Sequence, residues 1–187
     1  PAAVAAGDKP VIALMNTMES FLDHYVEDHN LKPGNAIQLR WNELLAFALS
    51  RTLRVTTIHP DGSTKIRTVD PAEYGVGALY DALLEDAEAV ESNFPVSPID
   101  YIIQKLNAAG VKMAELTGRS SGIQYTDFAA NTGVYRHFKT ANKNRVVNGF
   151  NDGTYDGMVL NASGSTGLSA HANITFKDRR PRAMLIA

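Results

Sequence analysis

The sequence predicts a mainly α fold: a bundle of four to five helices with one small β-hairpin and a long extended C-terminal arm. Three observations carry this expectation. Apolar residues recur at three- and four-residue steps in several segments of the first two thirds. One stretch switches to a two-residue period around a strong turn signal. From about Thr117 onward the chain is rich in Gly, Ser, Asn and Thr and poor in long apolar runs. On this reading residues 1–147 form a helical core with the hairpin near 53–69, and residues 148–187 form the arm.

The first element is a helix over Pro10–His29. Asp8 can cap it and Pro10 suits its first turn. Val11, Leu14, Met15, Met18, Leu22, Tyr25 and Val26 make its apolar stripe. Lys32-Pro33-Gly34-Asn35 turns the chain into a second helix over Ala36–Arg51. There Ile37, Trp41, Leu44, Leu45 and Ala48 face inward, which puts Trp41 in the core. Leu53–Ile58 and Ser63–Val69 alternate about His59-Pro60-Asp61-Gly62 and predict the hairpin. Asp70-Pro71 opens a helix to Val90, and Ser97-Pro98 opens another to Ala109, stopped by Gly110. Val111–Leu116 adds a short helical turn, and Tyr125–Asn144 reads as a weaker helix. Short strands are expected at Met158–Leu160 and Asn173–Phe176.

At 187 residues and 44% hydrophobic, the chain can build a core as one domain. It has no cysteine, which excludes disulfides, thiolate metal sites and a cysteine nucleophile. No run of 18 apolar residues points to a membrane span, and Pro1–Asp8 lacks the features of a secretory leader. Charge is uneven. From Lys112 on, ten Lys and Arg stand against five Asp and Glu, a net +5, while the preceding residues carry −7. Such a gradient suits an anionic partner or contacts between copies.

Several constellations fall short of a site. His24 and His29 are five residues apart, about 140° around a helix, and cannot share one ion. Asp152-Gly153-Thr154-Tyr155-Asp156-Gly157 starts like a calcium loop, but Ser163 stands where a bidentate carboxylate is required. The two Asp-Gly pairs read as turns. Asn161-Ala162-Ser163 and Asn173-Ile174-Thr175 match glycosylation sequons by chance. There is no glycine-rich phosphate loop, nucleophile elbow or triad spacing. The expectation is therefore no catalytic residue, metal or cofactor. Lys177–Arg182 reads as a solvated basic terminus.

The basic run Arg136–Arg145 carries more weight. As a helix it places Arg136, Lys139 and Lys143 on one face, with Arg145, Tyr135 and Phe138 nearby. Cations neutralise phosphate and aromatic rings stack on unpaired bases. Arg119, in Arg119-Ser120-Ser121-Gly122, joins these as a candidate nucleic-acid contact.

The order of elements over residues 10–90 has two helices, then Arg54–Gly62 and Lys65–Val69, then the helix opened by Asp70-Pro71. It resembles the coat proteins of rod-shaped or filamentous, tobacco-mosaic-like plant RNA viruses. That resemblance implies a capsid protein, a helical homopolymer packaging single-stranded RNA, found in the virion and in host cytoplasm during assembly. It transfers no RNA-contacting residue.

Composition of the arm points the same way, since it cannot bury enough apolar surface to offset its ordering entropy. Neighbouring copies or a bound polymer would have to hold it. The rival expectation is a soluble enzyme or ligand-binding domain, and a phage virion component is a third. Residues 148–187 separate the first two: extension away from the core favours assembly, and folding back to line a pocket favours ligand binding. Truncation after Phe150 is expected to leave a folded bundle.

Overall fold

The computed structural model describes residues 2–15, 18–161, 164 and 173–186. Their fold is mixed α/β, which overturns the expected mainly α bundle. The centre is a four-stranded parallel sheet of β1 (Lys9–Leu14), β5 (Met113–Leu116), β8 (Gly157–Asn161) and β9 (Arg182–Ile186). Its strand order is β5-β8-β1-β9. A three-stranded antiparallel sheet, ordered β2-β7-β6, contains β2 (Ala36–Gln38), β6 (Ser121–Asp127) and β7 (Thr132–His137). The expected hairpin is present as β3 (Arg54–Ile58) and β4 (Thr64–Thr68).

The physical reason for the correction lies in burial on both faces. Parallel strands covered by helices on each side read as continuous apolar runs rather than alternating ones. Val11 and Leu14 fit a helical stripe equally well, but they point to opposite faces of the sheet. Val11, Ala114, Leu116, Met158 and Leu160 pack under α6 (Lys143–Asp152), through Val146 and Phe150. Leu14, Met113 and Val159 pack under α5 (Pro98–Ala108), through Ile99. The sheet is thus the middle of three layers. Phe150, Met158, Val159 and Ile99 are all fully buried, each contributing about 1.5–3 kcal/mol by removal from water.

The single helix expected over Pro10–His29 is therefore β1 followed by α2 (Glu19–Asp28). The second is β2 followed by α3 (Trp41–Thr52). Here α2 and α3 cover the antiparallel sheet, with Leu22, Val26, Leu39, Leu44, Ile123, Tyr125 and Tyr135 as the shared core. Trp41 is only half-buried against that cluster. A 3-10 turn at Pro71–Tyr74, N-capped by Asp70, precedes α4 (Gly77–Glu88). The Tyr125–Asn144 helix does not exist: its residues form the end of β6, all of β7 and the start of α6. No strand forms at Asn173–Phe176, which turns instead.

The arm is likewise corrected. Among the described residues of 148–187, α6 and β8 lie inside the three layers, and β9 pairs with β1 from Lys9↔Arg182 to Ala13↔Ile186. The basic terminus is not merely solvated. Lys9, fully buried, donates to the Phe150 carbonyl and to Asp178 at 2.7 Å, and sits 4.3 Å from the Phe150 ring. Arg180 binds Asp178 at 2.7 Å and Asp156 at 2.9 Å. This network closes the amino end of the sheet.

Candidate nucleic-acid interface

In open parallel α/β sheets, ligands bind outside the carboxyl ends of the strands. Here that edge is formed by Leu14, Leu116 and Asn161, with Ile186 beyond. The residues after β5 and β8 meet there. Asn161 Oδ1 accepts from the Gly164 amide at 2.9 Å. A Cβ built on Gly164 would lie 1.7 Å from the Leu116 carbonyl oxygen, so only glycine fits this close approach.

The loop after β5, Thr117-Gly118-Arg119-Ser120, is held by a buried ion cluster. Arg119 is 4% exposed. Its guanidinium donates to Asp100 at 2.7 and 3.0 Å and to Glu115 at 2.5 and 2.8 Å. Asp100 sits in the first turn of α5, where the helix dipole favours a carboxylate. It also accepts from Ser97 Oγ at 2.6 Å and the Ile123 amide at 2.7 Å. Burial by itself would lower the Arg119 pKa, but the bonds from Glu115 and Asp100 outweigh it and the net shift is upward. A Cβ on Gly122 would fall 2.7 Å from Asp100 Oδ2, so the cluster also needs a glycine beside it. Gly118 turns the loop at φ 78°, in the left-handed region.

Beside this loop lies a cleft of about 210 Å³. Its walls include Glu115, Thr117, Gly118, Phe138, Lys139 and Tyr155. Ala141 and Val146, which flank the start of α6, also line it. Asn142 caps that helix, its Oδ1 accepting from the Arg145 amide at 3.1 Å. The helix begins at the cleft, so its positive dipole end lies there. Lys139 is exposed at the rim and Arg145 is exposed in the first turn of α6.

The structure distributes the sequence-predicted residues differently from a single helix face. Tyr135 is buried in β7, in the shared core. Arg136 is exposed on β7, with its Nε donating to Gln124 at 2.9 Å. Phe138 and Lys139 lie on the loop after β7, and Lys143 and Arg145 on α6. The Arg119 guanidinium lies 5.3 Å from the Phe138 ring centre and is engaged by carboxylates. Phe138, Lys139 and Arg119 therefore share the cleft, while Arg136 and Tyr135 belong to the antiparallel sheet. Gly118, Gly164 and the α6 N-terminus were not read from the sequence. The available signal was the apolar run Met158–Leu160 followed at once by a Gly- and Ser-rich stretch, the pattern of a strand entering a carboxyl-end loop.

The other constellations resolve as structure. Asp152 accepts from the Thr154 amide at 2.8 Å in a local turn, and Asp156 is paired with Arg180. Ser163, the twelfth position of the calcium-like loop, and Ala162 of the first sequon lie outside the described residues. The His29 ring stacks on Tyr25 at 4.0 Å, and His24 lies 3.9 Å from Glu27. Among the described residues no group of three or more His, Asp or Glu could hold a metal. No helix there is long and apolar enough to cross a membrane. Compared with known proteins, the chain matches no family model, no curated protein and no solved structure.

Proposed function

We propose that this domain grips the sugar–phosphate backbone of single-stranded nucleic acid across the carboxyl ends of its parallel sheet. One observation carries the reading: Thr117, Gly118 and Arg119 of the loop after β5, the Phe138-Lys139 pair, and Ala141 and Val146 on either side of the α6 N-terminus converge on one cleft at that edge. Each supplies what a phosphate needs. A helix N-terminus attracts anions, and the exposed Lys139 and Arg145 add cations. Glu115, the carboxylate in the wall, is paired with Arg119, which it shares with Asp100. Phe138 gives the wall a ring against which a base can stack.

A grip of this kind recognises backbone rather than sequence. By architectural analogy, single strands crossing parallel α/β sheets belong to enzymes that translocate on or separate strands, the helicases among them. The domain is read as the gripping lobe of such an enzyme. The sequence has no glycine-rich phosphate loop, so nucleotide hydrolysis would be supplied by another lobe, and no catalytic residue is assigned here. The coat-protein reading drew support from a free arm, from the charge gradient and from the order of elements over residues 10–90. With β8 and β9 paired to β1, the free-arm ground falls away, and a C-terminal segment folded onto the core favours the ligand-binding alternative.

Fluorescence anisotropy with a labelled single-stranded oligonucleotide tests the proposal. The parent chain binds with strong salt dependence, and the K139Q/R145Q double variant lowers the salt slope by about two. A parent chain that fails to bind at low salt, or a double variant with an unchanged slope, removes the reading.

A further inference from the structure

Every residue of the two strands of the β3–β4 hairpin is exposed. At about 3.4 Å per residue, each strand of this ribbon is about 17 Å long. A lone two-stranded ribbon is at best marginally stable in water, so a partner that packs on it also holds its shape. Its foot is tied by ions: Arg54 binds Asp28 of α2 at 2.5 Å, and Arg51 of α3 joins the same carboxylate at 3.1 Å. From Leu53 to Val69 there are three cations and a single carboxylate, Asp61. Asp61 is engaged in the turn, where its Oδ1 accepts from the Ser63 amide at 2.9 Å and from the Ser63 hydroxyl at 2.6 Å.

Directly opposed residues share a face, so the register sorts the side chains into two sets. One face carries the pairs Val55↔Arg67 and Thr57↔Lys65. The other carries Thr56↔Ile66 and Ile58↔Thr64, with Arg54↔Thr68 at the foot. Lys65 and Arg67 make no ion pair among the described residues, whereas Arg54 is held by Asp28. On the opposite face Ile58 is 72% exposed and Ile66 64%. Cations and isoleucines therefore look in opposite directions, and one flat surface cannot engage both. Strands that hold Lys, Arg and Thr and no carboxylate carry the donors that phosphate takes. The segment that follows, Asp70 to Glu91, has seven acidic residues and no basic one, so a polyanion is repelled there and attracted to the ribbon.

We propose that the ribbon is a wedge that meets nucleic acid at the point where a single strand turns double-stranded. Lys65 and Arg67 hold the phosphates of one separated strand on the first face. Ile58 and Ile66 sit against the terminal base pair on the second. A two-stranded ribbon is narrow enough to enter the major groove of a duplex, and isoleucine is among the side chains that unstack base steps. A wedge between two strands requires different chemistry on its two faces, and the register of β3 and β4 supplies it. The inference rests on the nucleic-acid reading of the cleft for its kind of partner, but none of these residues lines the cleft.

The test is fluorescence anisotropy across salt with two kinds of labelled DNA probe, a single strand and the same strand carrying a duplex at either end. Circular dichroism confirms the fold of each variant, and every substitution is on an exposed residue. The parent is expected to bind a junction more tightly than the single strand. K65Q/R67Q is expected to lose that gain and to lower the salt slope on the junction by about two, with single-strand affinity unchanged. I58T/I66T is expected to keep the slope but to stop unstacking the terminal base pair, read from a fluorescent base analogue placed there. A parent that binds single strand and junction equally overturns the proposal. So does K65Q/R67Q with the parent's preference for the junction, which leaves the ribbon to a protein partner, or with an equal loss on both probes. I58T/I66T with the parent's analogue signal overturns it too. Failure of the cleft reading is seen separately, as a parent that does not bind the single strand while junction binding still depends on Lys65 and Arg67.

Discussion

Arg119 binds two carboxylates at once, and this is why the loop after β5 keeps its shape. A buried charge pair contributes little net stability compared with an apolar replacement, but breaking one leaves an uncompensated charge. Arg119→Ala strands Asp100 and Glu115 and is expected to cost about 3–5 kcal/mol, read as a lower urea midpoint. Gly164 acts through space instead of charge. Gly164→Ala drives a methyl group into the Leu116 carbonyl, and a loss of about 1–3 kcal/mol is expected. An unchanged melting temperature for G164A would show that the post-β8 backbone does not lie against β5.

Titration at the opposite end of the sheet has a definite sign. The Asp178 carboxyl is held well below the usual carboxylate range, first by Arg180 and then by Lys9, with burial opposing. A depressed folded pKa makes stability fully present above the unfolded value of about 3.9 and lost as pH falls below it. The parent is therefore expected to lose denaturant resistance below about pH 4, and Asp178→Asn to lose less over the same interval. Equal pH slopes for the two proteins would contradict this assignment.

At the scale of elements, the C-terminal quarter decides the fold. β8 lies between β5 and β1, so truncation after Phe150 removes an interior strand and β9 with it. The expected outcome is an unfolded or aggregated product by circular dichroism, not a stable bundle. The hairpin, α5 and the turn before α4 were legible because their signals are local: an Asp-Gly turn, a Pro at the first helical position, an Asp cap. β1, β5 and β8 were not, because a fully buried strand and a buried helical turn present the same apolar residues. Only the partner strands distinguish them. The site followed the same division. Phe138, Lys139 and Arg145 were readable as cations and a ring in one run. Their separation onto β7, a loop and α6 was not, since Gly133, where a Cβ would meet the Gln124 carbonyl at 2.6 Å, marks a close strand pairing that no helical periodicity reports. Gly164 was invisible as a site residue because its constraint comes from Leu116, far away in sequence.

The whole molecule is a three-layer α/β body with one end tied shut by ions and the other end lined by loops, a cation and a helix N-terminus. The acidic run from Asp70 to Glu91 lies on the outer elements, while the basic residues of the last third divide between Lys177–Arg182 and the run Arg136–Arg145. Hydrogen–deuterium exchange with and without a single-stranded oligonucleotide tests the central claim most directly, because it reports position as well as binding. The account predicts slowed exchange at residues 116–120 and 138–146, with the Lys9–Asp178 end unchanged. Protection confined to the β3–β4 hairpin or to the amino end of the sheet would contradict it.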